Sequence, residues 1–132
     1  MIFKQITEIF NGDKTQTRRI VKDGEWLAPW DDTTQAILAG DGRLRKLEGR
    51  DYAIVPKRGQ KQVGRYVITA IRKERLQDIT EADALAEGVA SVEEYKALWN
   101  RINDRPGLRW DDNPEVWVIS FRVVEDRREK VL

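Results

Sequence analysis

Between residues 12 and 19 the chain runs Gly-Asp-Lys-Thr-Gln-Thr-Arg-Arg, a denser concentration of reactive side chains than any other window in it. A lysine such as Lys14 serves as a base once desolvation or neighbouring cations depress its pKa, and Arg18 and Arg19 follow it closely. A threonine hydroxyl, here Thr17, is a poor nucleophile until such a base takes its proton. The composition sharpens this expectation, because the chain has no histidine and no cysteine. The usual general base, the usual thiol nucleophile and most zinc sites are therefore excluded, and catalysis has to run on Lys, Thr, Ser, Tyr and carboxylates. No metal and no cofactor is expected.

The flanking pattern says what must hold these groups in place. Ile2, Phe3, Ile6, Ile9 and Phe10 recur at helical spacing, and Gly12 stands where a left-handed C-terminal cap is usually found, so a first helix is expected over residues 3–11. Residues 15–21 mix β-branched and polar types and read as an extended segment, with Lys14 at the bend before it. Because Lys14 precedes the regular strand, it need not face away from Thr17. Residues 52–55 and 63–71 read as a hairpin around the basic turn Pro56-Lys57-Arg58-Gly59-Gln60-Lys61, whose cations either contact phosphate or guard an exposed strand edge. Thr80 with Asp83 opens a short helix that Gly88 can end. Ser91 with Glu94 forms a stronger capping box, after which Tyr95, Leu98, Trp99 and Ile102 make an amphipathic stripe expected to be core. Residues 103–114 read as a loop. Trp117, Ile119, Phe121 and Val123 alternate with Val118, Ser120 and Arg122, giving a closing strand with one apolar face. Residues 23–50 are the least readable part, a long loop in which Trp26 and Trp30 are expected to pack rather than to stack on bases.

At 132 residues, 40% hydrophobic and 36% charged, the chain fits one soluble domain over residues 1–132. No basic-then-apolar leader and no membrane-length apolar run is present, which points to the cytoplasm and away from membranes. Net charge is +1, but residues 1–75 hold 16 Lys and Arg against 10 Asp and Glu, while the remainder holds 8 against 13. Such asymmetry suits a face that meets phosphate, and equally a mixed, solubilising surface. Strands with helices between them and a closing C-terminal strand indicate an α+β, barrel-like domain.

Four blocks in order, residues 12–19, 52–56 through 63–65, 79–81 through 86–89, and 115–121, resemble the ASCH domain, a PUA-like family, in the form common in phage and prophage genomes. The resemblance covers nearly the whole chain, with residues 23–50 a variable insert. It implies a small PUA-like β-barrel with flanking helices, and a cleft between the first block and the helix that carries Glu87. Within the superfamily the chain is similar to the bacterial 4-acetylcytidine amidohydrolases, whose lysine, threonine and glutamate fall on Lys14, Thr17 and Glu87. Where those enzymes have an aliphatic residue and then an arginine, this chain has Arg18-Arg19. Other relatives bind RNA or cleave it, so fold alone does not choose between a modified nucleoside and RNA as partner. A monomer is expected.

The chemistry is self-consistent. Lys14 deprotonates Thr17, or a water that Thr17 positions, and Glu87 orients, protonates the exocyclic nitrogen or relays a proton to water. Arg18 and Arg19 offer bidentate forks to a phosphate or a pyrimidine carbonyl, and one of the two is expected to face the cleft. Lys57 and Arg58 are further candidates for substrate or RNA contact. The competing arrangement is a plain Lys14–Glu87 salt bridge, which raises the lysine's pKa and spoils it as a base.

Overall fold

In the computed structural model the described residues are 5–128. Two long antiparallel strands form the spine, β6 (Gly64–Arg75) and β7 (Glu115–Asp126). β1 (Gln16–Ile20) pairs with the outer side of β7 and β5 (Asp51–Ile54) with the outer side of β6, giving the order β1-β7-β6-β5. β7 is rich in Val, Ile and aromatic residues that suit a pleated surface packed on both sides. It is covered on both. Val116, Trp117, Val118 and Ile119 are all buried, which corrects the expectation of a single apolar face. Trp117, Ile119 and Phe121 join one core cluster with Ile9, Ile37, Ile54 and Ile68, while Val116 and Val118 join a second with Leu76, Ala84, Tyr95 and Trp99.

The first helix, α1 (Ile6–Phe10), is shorter than expected, and residues 3 and 4 of the expected span lie outside the described residues. Gly12 follows it with φ +85°, the left-handed conformation that its lack of a Cβ permits. The unreadable stretch is an antiparallel meander of three four-residue strands, β2 (Trp26–Pro29), β3 (Gln35–Leu38) and β4 (Leu44–Leu47). Such strands are too short for their alternation to register as a pattern, which is why this region reads as loop. The meander packs through Leu27 and Ile37 onto the first cluster, and its exit is tied to β6 by Gly49 N–H donating to Ile68 O at 2.8 Å. Trp26 and Trp30 do not pack as expected; they are 48% and 51% exposed, because at this end of the meander only Leu27 and Ala28 turn inward. The hydrogen-bonded strands thus form a four-stranded and a three-stranded sheet in a mixed α+β fold, and their pairing does not close into one barrel.

α2 (Glu81–Ala86) starts at Thr80, whose hydroxyl accepts from Asp83 N–H while the Asp83 carboxylate accepts from Thr80 N–H, a full capping box. α3 (Val92–Ile102) starts at Ser91, whose hydroxyl accepts from Glu94 N–H; the Glu94 carboxylate reaches back to Ala90 N–H instead. Tyr95 and Trp99 bury one side of α3, but Leu98 and Ile102, expected in the same core stripe, border an open cavity. The expected loop at 103–114 is pinned to α3 by Trp99 Nε1–H donating to Leu108 O at 2.7 Å, and it contains a short 3-10 turn at Trp110–Asp112.

Candidate active site

A cavity of about 570 Å³ opens beside β1, bounded by the Lys14 bend, the end of α2 and the outer side of α3. Four consecutive β1 residues, Thr17 to Ile20, border it, although alternate side chains of a strand face opposite ways. The cavity therefore lies along the outer edge of β1, which no strand among the described residues pairs with. The register fixes what that edge presents. Phe121 N–H donates to Thr15 O and Val21 N–H to Glu115 O, so odd-numbered residues of β1 bond to β7. The N–H and C=O of Arg18 consequently point away from β7, along the edge that borders the cavity.

Lys14 and Glu87 meet there because two chain reversals are stitched together. Lys14 N–H donates to Glu8 O at 2.9 Å and Thr15 N–H to Ala86 O at 2.7 Å, which places Lys14 and Glu87 opposite each other as an isolated bridge. Gly88 turns the chain away with φ +86°, and a Cβ there would come within 3.3 Å of Lys14 Cβ. Glycine is thus required both by the backbone and by the close packing of Lys14.

Both side chains are deeply buried, Lys14 6% and Glu87 2% exposed. Lys14 Nζ donates to Gln16 O at 2.9 Å and lies 3.4 Å from Glu87 O and 3.5 Å from Glu87 Oε2. Burial lowers the Lys14 pKa from its ordinary 10.5; Glu87 opposes this and Arg19 adds to it. Burial likewise raises Glu87 above the ordinary carboxylate value, against the pull of Lys14 and of a hydrogen bond from Tyr95. Both displacements favour the uncharged forms, so desolvation outweighs the mutual attraction of the pair. The salt bridge expected as the alternative is present, and its upward pull on the lysine is outweighed by burial. Tyr95, read from sequence as packing, is the residue that sequence reasoning missed. Its hydroxyl bonds the Glu87 carboxyl, and burial next to that carboxyl raises its own pKa. The only signal in the sequence was a phenol, with its polar tip, within an otherwise apolar stripe.

The two arginines separate as strand alternation dictates. The Arg18 guanidinium is fully buried on the α2 side, paired with Glu74 and, at 3.2 Å, with Asp83. Arg72 reaches the same two carboxylates at 3.2 and 3.1 Å, so four side chains lock α2 to the sheet. Arg19 lies on the opposite face of β1, bordering this cavity and a second one. Thr17 is buried on the cavity wall with Lys14 and Glu87. Lys57 and Arg58 are exposed in the β5–β6 turn and border neither cavity.

No family model matches the chain, and no curated protein matches it by sequence. Solved structures do match. An ASCH domain from Lactobacillus crispatus JV V101 is 18% identical over 90% of this chain and 69% of that one, with a TM-score of 0.58. A DUF984 protein from Enterococcus faecalis V583 is 17% identical over 92% of this chain and 67% of that one, with a TM-score of 0.60. The chain has the fold of an ASCH, PUA-like domain.

Proposed function

We propose that this chain is an amidohydrolase of an acylated pyrimidine nucleoside, most concretely 4-acetylcytidine, which it splits into cytidine and acetate. The observation that carries this reading is the buried Lys14–Glu87 pair, displaced toward its uncharged forms and sharing a cavity with Thr17. A base and an acid side by side in low dielectric are what amide cleavage requires.

The steps balance on these groups. Uncharged Lys14 takes the Thr17 hydroxyl proton as the oxygen attacks the acetyl carbon. The developing oxyanion is held by a donor on the cavity wall, for which the outward N–H of Arg18 is the main-chain candidate. The carbon–nitrogen bond then breaks, and protonated Glu87 gives its proton to the exocyclic nitrogen, releasing cytidine and leaving Thr17 acetylated. Water attacks the ester as the Glu87 carboxylate accepts its proton. Acetic acid forms as Thr17 recovers its proton from Lys14, and ionises on release. Tyr95 orients Glu87 throughout.

The test is incubation with 4-acetylcytidine and measurement of cytidine and acetate. Wild type should release both in equal amounts. Lys14→Ala, Thr17→Ala and Glu87→Ala should each abolish turnover while circular dichroism shows a folded chain. Full activity in any of the three would remove that residue from the mechanism, and no acetate from wild type would remove the substrate.

A further inference from the structure

A second cavity, of about 560 Å³, adjoins the first across Arg19, Ile20 and Asn103, which border both. Its far wall is the meander of residues 26–47. Among the described residues four cations border it, Arg19, Lys22, Arg45 and Lys46, against one carboxylate, Glu25. That carboxylate is already engaged, accepting from Lys22 N–H at 2.9 Å, from Trp117 Nε1–H at 3.0 Å and from Arg45 Nε–H at 3.1 Å. It therefore answers Arg45, and among the lining residues no second carboxylate answers Lys22 and Lys46. Lys46 is the telling member. Its ammonium lies 4.2 Å from the centre of the Tyr52 ring, and among the described residues no carboxylate stands within ion-pair distance of it. Burial lowers its pKa, and both Arg19 and Arg45 lower it further. A half-buried ammonium with like charges beside it is costly unless an anion completes it, and Lys46 is in that position.

We propose that this second cavity is a phosphate subsite, so that the substrate is a phosphorylated nucleoside or a nucleotide within a strand, its base in the first cavity and its phosphate among Arg45, Lys46 and Lys22. The base placement rests on the function proposed above; the phosphate placement rests on the cation cluster alone. Guanidinium and ammonium groups bordering one cavity are suited to the tetrahedral oxygens of a phosphate, and Lys46 lies over the Tyr52 ring, which favours its charge.

Binding to the full chain, read without turnover, tests this separately from catalysis. In nuclear magnetic resonance titrations inorganic phosphate should shift the amide signals of Arg45 and Lys46 and the Trp117 indole signal. Cytidine 5′-monophosphate should bind about tenfold tighter than cytidine at low salt, with the advantage shrinking as salt rises. Lys46→Met should erase the difference between nucleotide and nucleoside, and Lys46→Arg should restore it. Lys22→Met, at an exposed position with no fold role, should reduce it. Lys57→Met, outside both cavities, should leave it intact. A trinucleotide with unphosphorylated ends that binds tighter than the monophosphate would assign the subsite to a strand, and the reverse order to a free nucleotide. Equal affinity of wild type for cytidine and its monophosphate, with no shifts from inorganic phosphate, would overturn the proposal, as would a preference unchanged in Lys46→Met. Loss of acetate release with the phosphate preference intact would sink only the function proposed above.

Discussion

The two cavities that meet at Arg19 contain lysines of opposite circumstance. Lys14 is almost fully buried and faces a carboxylate, so its charge is balanced but poorly solvated. Lys46 is only partly buried and faces two arginines, so its charge is better solvated but unbalanced. Burial lowers the pKa of both, and the neighbours decide what each can do. Beside Glu87 a lowered lysine can exchange a proton within a neutral pair. Beside arginines it can only attract an anion. On the proposed account the same residue type supports proton transfer in one cavity and recognition in the other, and the two cavities share Arg19, Ile20 and Asn103.

The comparison breaks most visibly at Arg18, whose guanidinium is engaged by Glu74 and Asp83 rather than by a substrate. Arg18→Met leaves Glu74 and Asp83 without their buried cation, and unfolding free energy should fall by about 3–5 kcal/mol in a denaturant titration. A loss below about 1 kcal/mol, typical of an exposed ion pair, would show that Arg72 alone holds the two carboxylates.

Acid stability sharpens the same point. Burial favours the protonated form of Asp83, yet hydrogen bonds from Thr80 and Gln16 together with Arg18 hold its pKa down to about 2, against an ordinary 3.8. A carboxylate depressed in the folded state contributes stability that is complete above its unfolded pKa and is lost as pH falls through the folded value. Stability should therefore decline between about pH 4 and pH 2, and the decline should be shallower in Asp83→Asn. Identical acid profiles would place the sensitivity elsewhere.

Tyr95→Phe is the gentlest change. Without the phenol the Glu87 carboxylate loses a donor, so its pKa rises further. The mechanism needs Lys14 without its proton and Glu87 with it, so the rate profile should be bell-shaped, rising as the pair loses the first of its two protons and falling as it loses the second, which Glu87 gives up. Tyr95→Phe should move the upper limb upward and reduce kcat by about tenfold. A profile that does not move would confine Tyr95 to packing.

Much of this arrangement was legible from residues alone. The run from Lys14 to Arg19, the capping box of Thr80 with Asp83 and the ends marked by Gly12 and Gly88 depend on local chemistry, and local chemistry survives folding. Strand alternation also implied that Arg18 and Arg19 would part. It could not say which would meet carboxylates, since Glu74 and Asp83 are distant in sequence. The meander was hidden because each strand has four residues, too few for periodicity to rise above turn signals. The second cavity was hidden with it, Lys46 being one cation among many until the fold set it beside Arg19 and Arg45. Trp26 and Trp30 misled for a similar reason: an aromatic residue in a short strand, or just past its end, carries no mark of which face it will occupy.

The division of labour between the cavities is tested most directly by steady-state kinetics on 4-acetylcytidine 5′-monophosphate, comparing Lys14→Met with Lys46→Met in chains confirmed to be folded. Lys14→Met should lower kcat by at least about a hundredfold with KM little changed, as expected for loss of a general base. Lys46→Met should raise KM with kcat retained, as expected for loss of uniform binding. Retention of kcat in Lys14→Met would contradict the account, because the buried lysine would then be a structural ion pair and the first cavity no centre of proton transfer.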